Sequence, residues 1–530
     1  MDETNIKSII AQNENSKKAL KTFISQTENF FSFPLLNENN LRFDLWNSLY
    51  NMANTSSDEE IQANCFSALR ILCREKANLD QLFEANDWLT LLKRVIGLDG
   101  DKINFTKKTS IVAVEAEKFL CNLVFNNNKA VRECSENDIL YNINDRIKFY
   151  SEPSFPEDIK FFDMKLLFII TALRPETRKI LGEEKNATIN LMEYLDIIFE
   201  DVEDNDKSMD MACEILKTLF NLTLKIQPSN EQSDRYIKLV QILRKYLMLP
   251  IESEVERITL QTNVINLLTN IPNTFYTELI PPIDSVECIG EKLEYNGHDL
   301  SAVKMIVELL RVKISADNPV NQQLEIISPT VTVLYNGACG SKIIRKYLRF
   351  EILPPLRDVY NLPEEGTTLR NCLCRFLTSP VTILKDIIAE FLFVLCKKNV
   401  KRMVKYTGFG NAAGLFAKRG LLGGKKDAEA AEFSSDSEDS ETEEYAENKH
   451  MINPVLGCYR PSNTDVLDGM SDEQKEYEAM KIINLMDALT REGTIKPCKI
   501  DENGRPVPIE HVLEFQNSLK KKDSCQGSVE

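Results

Sequence analysis

ALRILCREKANL (68–79), FLCNLVFNNNKAV (119–131), IITALRPETRKIL (169–181), TLFNLTLKI (218–226) and NLLTNIPNT (266–274) are five versions of one pattern. Each sets a polar residue inside a Leu-rich core. Aligned on that residue, they centre on Arg70, Asn122, Thr171, Asn221 and Asn270, with steps of 52, 49, 50 and 49 residues. Two further candidates, TVLYNGAC (332–339) and EFLFVLCKKN (390–399), follow at wider spacing. Around the cores apolar residues recur at three and four, as in Phe66, Leu69, Leu72 and Cys73, which is the period of an amphipathic helix.

A recurrence of roughly 40–47 residues marks armadillo and HEAT repeats, and this one is slightly longer. Units of two or three helices cannot bury their apolar faces alone. Stacking makes one continuous core and leaves a concave groove. The pattern therefore predicts an all-α, armadillo/HEAT-like helical-repeat superhelix over residues 1–407, with a partly disordered C-terminal extension. The Leu-x-Asn-Leu form resembles the last helix of an armadillo repeat. In that family the Asn often hydrogen-bonds a bound partner's backbone. Equally, it can satisfy a carbonyl of the neighbouring repeat.

Behind the array, GFGNAAGLFAKRGLLGGKK (408–426) is apolar and basic. DAEAAEFSSDSEDSETEEYAE (427–447) then carries ten acidic residues and five Ser or Thr, with no Lys or Arg. These stretches predict a terminal helical segment leaving the array at 408–426 and an acidic, phosphorylatable, disordered tether over 427–470. Ser471 with Gln474 forms a capping-box pattern. It opens an amphipathic helix over 471–493 with Ala479, Ile482, Ile483, Met486 and Leu489 on one face. Residues 494–530 are expected to be mostly disordered. The 471–493 helix is marginal alone and is expected to dock through Ile482, Ile483, Met486 and Leu489.

Charge and composition exclude much. Of the whole-chain net of −17, −13 lies in residues 427–530 and −4 in the 426 residues before them. No domain-wide basic excess points to nucleic acid. The thirteen cysteines have neither metal nor disulfide spacing; several sit in apolar runs (Cys121, Cys213, Cys396), as small buried hydrophobes do. Reduced thiols fit a cytoplasmic protein. The polar N-terminus shows no signal peptide, and the most apolar run, Met164–Leu173, is too short for a transmembrane segment. Three histidines, His298, His450 and His511, stand apart from each other and from any Cys at ligand spacing. GLLGGKKD (420–427) lacks P-loop spacing and its Ser or Thr. The expectation is a binding protein with no catalytic residues, no metal and no cofactor.

Basic residues cluster twice: Arg345, Lys346 and Arg349 in SKIIRKYLRF, and Lys397, Lys398, Lys401, Arg402 and Lys405 near the array's end. Ser435 and Ser440 each have Glu three residues on, the spacing for an acidophilic kinase of the casein kinase two type. Phosphorylation adds about −1.5 to −2 charges per site, so the tether is expected to clamp onto these basic helices. Solvated helix faces are the plainer reading.

GFGNAAGLFAKRGLL (408–422), SDSEDSETEEY (435–445), INP (452–454) and GMSDEQKEYEAMKIINLMDALTREGTIKP (469–497) together resemble the synembryn, or resistance-to-inhibitors-of-cholinesterase, family. LRILCREK (69–76), FLCNLVFN (119–126) and IIRKYLRFEILPPL (343–356) extend the resemblance over the whole chain. It implies a non-receptor guanine nucleotide exchange factor and folding chaperone for G-protein alpha subunits, holding them nucleotide-free until GTP binds. It implies that the alpha subunit's C-terminal helix lies in the groove and that the C-terminal extension reaches the nucleotide-binding domain. Ser435 and Ser440 match the family's phosphorylation motif, with Ser440 where some relatives have Thr. Groove contacts are then expected at Arg70, Arg74, Asn122 and Asn126, with Asn221 and Asn270 secondary. The expected form is a cytoplasmic monomer, drawn to the cell cortex through its partner. The alternative is a passive armadillo scaffold that binds extended peptides whatever their nucleotide state.

Overall fold

A computed structural model of the chain describes residues 3–38, 40–99, 107–203, 205–224, 233–285, 292–422, 442–460 and 469–509. The fold is all-α helical repeat, with short two-stranded hairpins as the sheet found among the described residues. The chain divides into two compact units, Met1–Glu278 and Leu279–Glu530.

In the first unit the five aligned cores begin on five helices, Glu59–Leu72, Lys107–Asn126, Glu157–Leu173, Asp206–Thr223 and Glu254–Leu268, with Asn270 just past the end of the last. Each packs against the next in chain order, so the row can be called a ladder. Three of them start where a side chain caps them: Asp58 accepts from the Glu60 amide, Asn205 from Lys207 and Ser253 from Glu256. Carboxylates in the first turn of each favour the positive end of the helix dipole. The apolar face of each ladder helix is buried, as with Phe66, Leu69, Leu72, Phe119, Leu120 and Leu123. Further helices such as Leu41–Thr55, Trp88–Val95, Ala187–Ile197 and Ser233–Leu247 back them. Trp46, Trp88 and Phe119 meet edge to face with centroids 5.2–5.8 Å apart, a geometry that suits aromatic quadrupoles.

One charged cluster is sealed in this core. Arg146 donates from Nε to Asp163 Oδ2 at 2.8 Å, from Nη2 to Glu117 Oε1 at 2.9 Å and from Nη1 to the Ile96 carbonyl at 2.6 Å. Tyr150 donates its hydroxyl to Asp163 Oδ2 at 2.6 Å. Burial and the neighbouring Asp163 push the Glu117 carboxyl well above its ordinary range.

The second unit holds Ser301–Ser315, Val320–Gly340, Lys342–Ile352, Leu369–Phe376, Thr382–Leu395, Val400–Thr407 and Phe409–Arg419. Val320–Gly340 and Thr382–Leu395, which carry the two widely spaced cores, pack side by side. After Leu268 the chain passes through the 3-10 turns Asn273–Leu279 and Ile283–Ser285 and the Glu294–Tyr295/His298–Asp299 hairpin, and the two further cores follow at the wider spacing read from the sequence.

The C-terminal part departs from expectation. Residues 442–460 lie within the predicted disordered tether, yet they form the helix Glu443–Asn448 and a hairpin pairing Ile452–Asn453 with Cys458–Tyr459. Asn453 and Gly457 supply the turn: Asn453 Oδ1 accepts from the Val455 amide, and Gly457 has φ +75°. Composition hid this because acidic and polar residues flank the few apolar anchors. Residues 498–508, within the predicted loose tail, pair as a hairpin. Asp472–Arg491 is a helix opened by a reciprocal Ser471–Gln474 capping box, and Gly493 follows it at φ +74°.

Candidate functional site

The polar positions of the ladder are joined by hydrogen bonds. Asn122 Nδ2 donates to the Arg70 carbonyl at 3.2 Å and Asn126 Nδ2 to Cys73 at 3.1 Å. Asn221 Nδ2 meets the Phe168 carbonyl at 3.2 Å and Thr171 Oγ1 at 3.1 Å. Asn270 Nδ2 meets the Phe220 carbonyl at 2.8 Å and Thr223 Oγ1 at 3.1 Å. Each asparagine thus ties its helix to the preceding one, at the spacing read from the sequence. The amide nitrogens of Asn221 and Asn270 each meet two acceptors inside the array and those of Asn122 and Asn126 one each, which leaves a partner their oxygens and, at Asn122 and Asn126, a second N–H. Asn221, 5% exposed, is the least accessible of them.

The arginines are held too. Arg70 Nε lies 3.7 Å from Glu115 Oε2, and Lys118 Nζ lies 2.7 Å from the other oxygen of that carboxylate. Glu75 accepts from the Phe33 amide and Asn37, 2.9 and 2.8 Å away, and faces Arg42 at 3.7 Å. Arg74 donates to the Glu28 and Phe30 carbonyls and lies 5.3 Å over the exposed Phe31 ring. Burial and the like charge of Arg70 lower its pKa.

Sequence reasoning missed a stripe of cations over aromatic rings along the same helices. Lys76 lies over Phe125, Lys118 over Phe162, Lys165 over Phe161 and Lys217 over Phe168, at 5.1–5.8 Å. Phe125 stands 62% exposed at the end of its helix. A row of half-buried rings and cations, with Phe125 and Lys76 exposed at one end, suits an amphipathic helix with an acidic or carboxylate end. The signal available in sequence was the Phe residues flanking each Leu-rich core.

In the second unit two expected phosphate acceptors are corrected. Arg345 is buried and gives Nη1 to the Ala338 carbonyl at 2.8 Å, because it shares the inward face of Lys342–Ile352 with Ile344, Leu348 and Ile352. Lys397 is buried as well. Thr382–Leu395 ends there without a glycine, and Lys397 and Lys398 take left-handed backbone at φ +58° and +50°. Lys346, Arg349, Lys398, Arg402 and Lys405 are half-exposed, and Lys401 is exposed. Ser435 and Ser440 lie outside the described residues.

Residues 442–460 form a strap across this basic region. Thr442 donates its hydroxyl to the Leu356 carbonyl, and the Tyr459 amide donates to Val359 at 2.6 Å. The Phe409 and Gly410 amides donate to Pro454 and Val455 at 2.8 and 2.9 Å. The crossing needs two glycines. A Cβ on Gly408, at φ +74°, would stand 2.9 Å from the Leu456 backbone. One on Gly457 would stand 2.9 Å from Gly408. Lys405 Nζ lies 4.3 Å over the Tyr445 ring.

On the Asp472–Arg491 helix no side chain is buried. Ile482 is 57% exposed, and Ile483, Met486 and Leu489 are half-exposed. Burial pushes the Cys65, Cys73 and Cys134 thiols up to about 12, which removes nucleophilic character at neutral pH. Among the described residues no group of His, Cys, Asp and Glu could hold a metal ion, and no helix is long and apolar enough to cross a membrane.

Comparison with known proteins bears on this arrangement as a whole. The Drosophila melanogaster protein named Chaperone Ric-8 is 35% identical, with 96% of each chain covered. Chaperone Ric-8A of Danio rerio is 36% identical, covering 93% of this chain and 92% of that one. Chaperone Ric-8A of Gallus gallus is 36% identical over 88% of each. Residues 65–505, a span that includes both the ladder and the strap, match the family described as guanine nucleotide exchange factor synembryn, and to that family the chain belongs.

Proposed function

We propose that this protein is an exchange factor and folding chaperone for G-protein alpha subunits, and that it works by differential binding without covalent chemistry. The observation that carries this reading is the family match over residues 65–505; the half-buried cation and aromatic row of the ladder, exposed at Phe125 and Lys76, supports it. The alpha subunit's C-terminal helix lies along that row. Arg70 and Arg74 meet its carboxylate end, and Asn122 and Asn126 offer their amide oxygens. The exposed apolar face of Asp472–Arg491, with Ile482, Ile483, Met486 and Leu489, contacts the nucleotide-binding domain.

The mechanism needs only a preference for the empty alpha subunit. By linkage, a partner that binds the empty form better weakens GDP binding by the same factor. GTP then reloads the subunit and displaces the factor. A newly made subunit without nucleotide is stabilised by the same preference. Exchange and chaperoning are one affinity difference met in two settings. Phosphorylation of Ser435 and Ser440 by an acidophilic kinase would draw the tether onto Lys346, Arg349, Lys398, Lys401, Arg402 and Lys405. The protein acts as a cytoplasmic monomer.

The test is GDP release from purified alpha subunits. Accelerated release supports the reading, and no acceleration with any alpha subunit contradicts the exchange role. A Ser435→Ala/Ser440→Ala variant slows exchange relative to the phosphorylated protein without loss of fold; equal rates would remove the tether from the mechanism.

A further inference from the structure

We infer that Tyr445 is a phosphorylation site for an acidic-directed tyrosine kinase, and that its phosphate tightens the strap on the Val400–Thr407 helix. The reading stands on the strap's own geometry and needs no partner protein. The helix Glu443–Asn448 buries none of its side chains, and Tyr445 is half-exposed. Glu443 and Glu444 directly precede it, both exposed; upstream carboxylates suit a kinase whose substrate groove is basic. This is a different chemistry from the serine sites, which read acidic residues downstream.

A receiver for the phosphate is already placed. The Lys405 ammonium lies over the Tyr445 ring at 4.3 Å, with Lys401 and Arg402 on the same helix exposed and half-exposed. In the transfer, the phenolic oxygen attacks the γ-phosphorus of Mg-ATP and a new O–P bond forms. The bond to the bridging β,γ-oxygen breaks, ADP leaves, and the phenolic proton passes to the kinase's catalytic carboxylate. The product carries about −1.5 to −2 charges and three acceptor oxygens. The Lys405 ammonium can swing from the ring face to those oxygens, so a cation–ring contact becomes a charge-assisted hydrogen bond. Glu443 and Glu444 oppose the new charge, but they face solvent, where water and salt weaken that repulsion.

The strap carries its own reporters. The Phe409, Gly410 and Tyr459 amides donate across the crossing, so their hydrogen exchange measures how often it opens. The full-length protein is treated with an acidic-directed tyrosine kinase and Mg-ATP, mapped by mass spectrometry, and compared by hydrogen exchange with untreated protein. The expected result is phosphate on Tyr445 and about fivefold slower exchange at the three amides, the scale of one added exposed ion pair. Lys405→Met should accept phosphate and lose the slowing. Tyr445→Phe should show neither effect. Three results would overturn the inference: phosphate confined to other tyrosines such as the exposed Tyr477, exchange unchanged or faster in the modified protein, or Lys405→Met slowing as the wild type does.

Discussion

Replacing Arg146 by Met removes the one cation from a buried cluster and leaves Asp163 with the Tyr150 hydroxyl, 2.6 Å away, and the neighbouring Glu117 carboxyl. Breaking a buried pair in this way costs about 3–5 kcal/mol. Glu117→Gln should behave otherwise. Burial and Asp163 hold the Glu117 carboxyl well above its ordinary range, which favours its protonated form. Its Oε2 is buried without a donor; the Arg146 contact at Oε1 favours the anion, and burial outweighs it. The glutamine oxygen can still accept from Arg146, and the change should stay within about 1 kcal/mol. The sign with pH follows from linkage. The folded pKa is raised, so the native state keeps a proton that the unfolded chain releases above about pH 4.5. Stability contributed by Glu117 is complete below that value and falls as pH rises towards the folded pKa, by at most about 1.4 kcal/mol per unit. Glu117→Gln lacks that fall. The assay is unusually clean, because the chain's two tryptophans, Trp46 and Trp88, are both buried in the first unit. Urea unfolding followed by tryptophan fluorescence therefore reports that unit. As pH rises above about 4.5 the wild type should lose stability relative to Glu117→Gln. Parallel curves for the two proteins, or an Arg146→Met variant as stable as wild type, would refute the reasoning.

Other substitutions separate structural roles from binding roles. Asn221→Ala removes two bonds between ladder helices and should lower the urea-unfolding stability of the first unit by about 1–3 kcal/mol. Lys313 is buried with Thr330 Oγ1 3.3 Å from its ammonium, and burial lowers its pKa to about 8. Its folded pKa is below the unfolded value, so it adds stability as pH rises from about 8 to 10.5. Lys313→Met should raise the calorimetric stability of the second unit at pH 7 and flatten that rise. Gly457→Ala sets a Cβ 2.9 Å from Gly408 at φ +75°. It should release the strap, seen as faster exchange at the Tyr459 amide, while tryptophan fluorescence stays unchanged.

The repeat was legible in sequence because it rests on a periodic polar residue in a Leu-rich core, and the same residues form the ladder. Asn122, Asn221 and Asn270 could be read either as ties between repeats or as partner contacts; only the carbonyls of Arg70, Phe168 and Phe220 beside them decide what their donors do. The amphipathic helix was legible through Ser471, Gln474 and Gly493, because caps are local. Arg345 and Lys397 misled, since charge suggests solvent while helix phase and a left-handed turn bury them. The strap was hidden for a different reason. Its anchors are backbone amides and two crossing glycines, Gly408 and Gly457, which no composition or period reveals.

The central claim is a preference for the empty alpha subunit, and the most direct measurement is complex formation with an alpha subunit with and without excess GTP. The account predicts a stable complex without GTP that dissociates when GTP is added. Binding that is equally strong with and without GTP would contradict it and favour a passive scaffold.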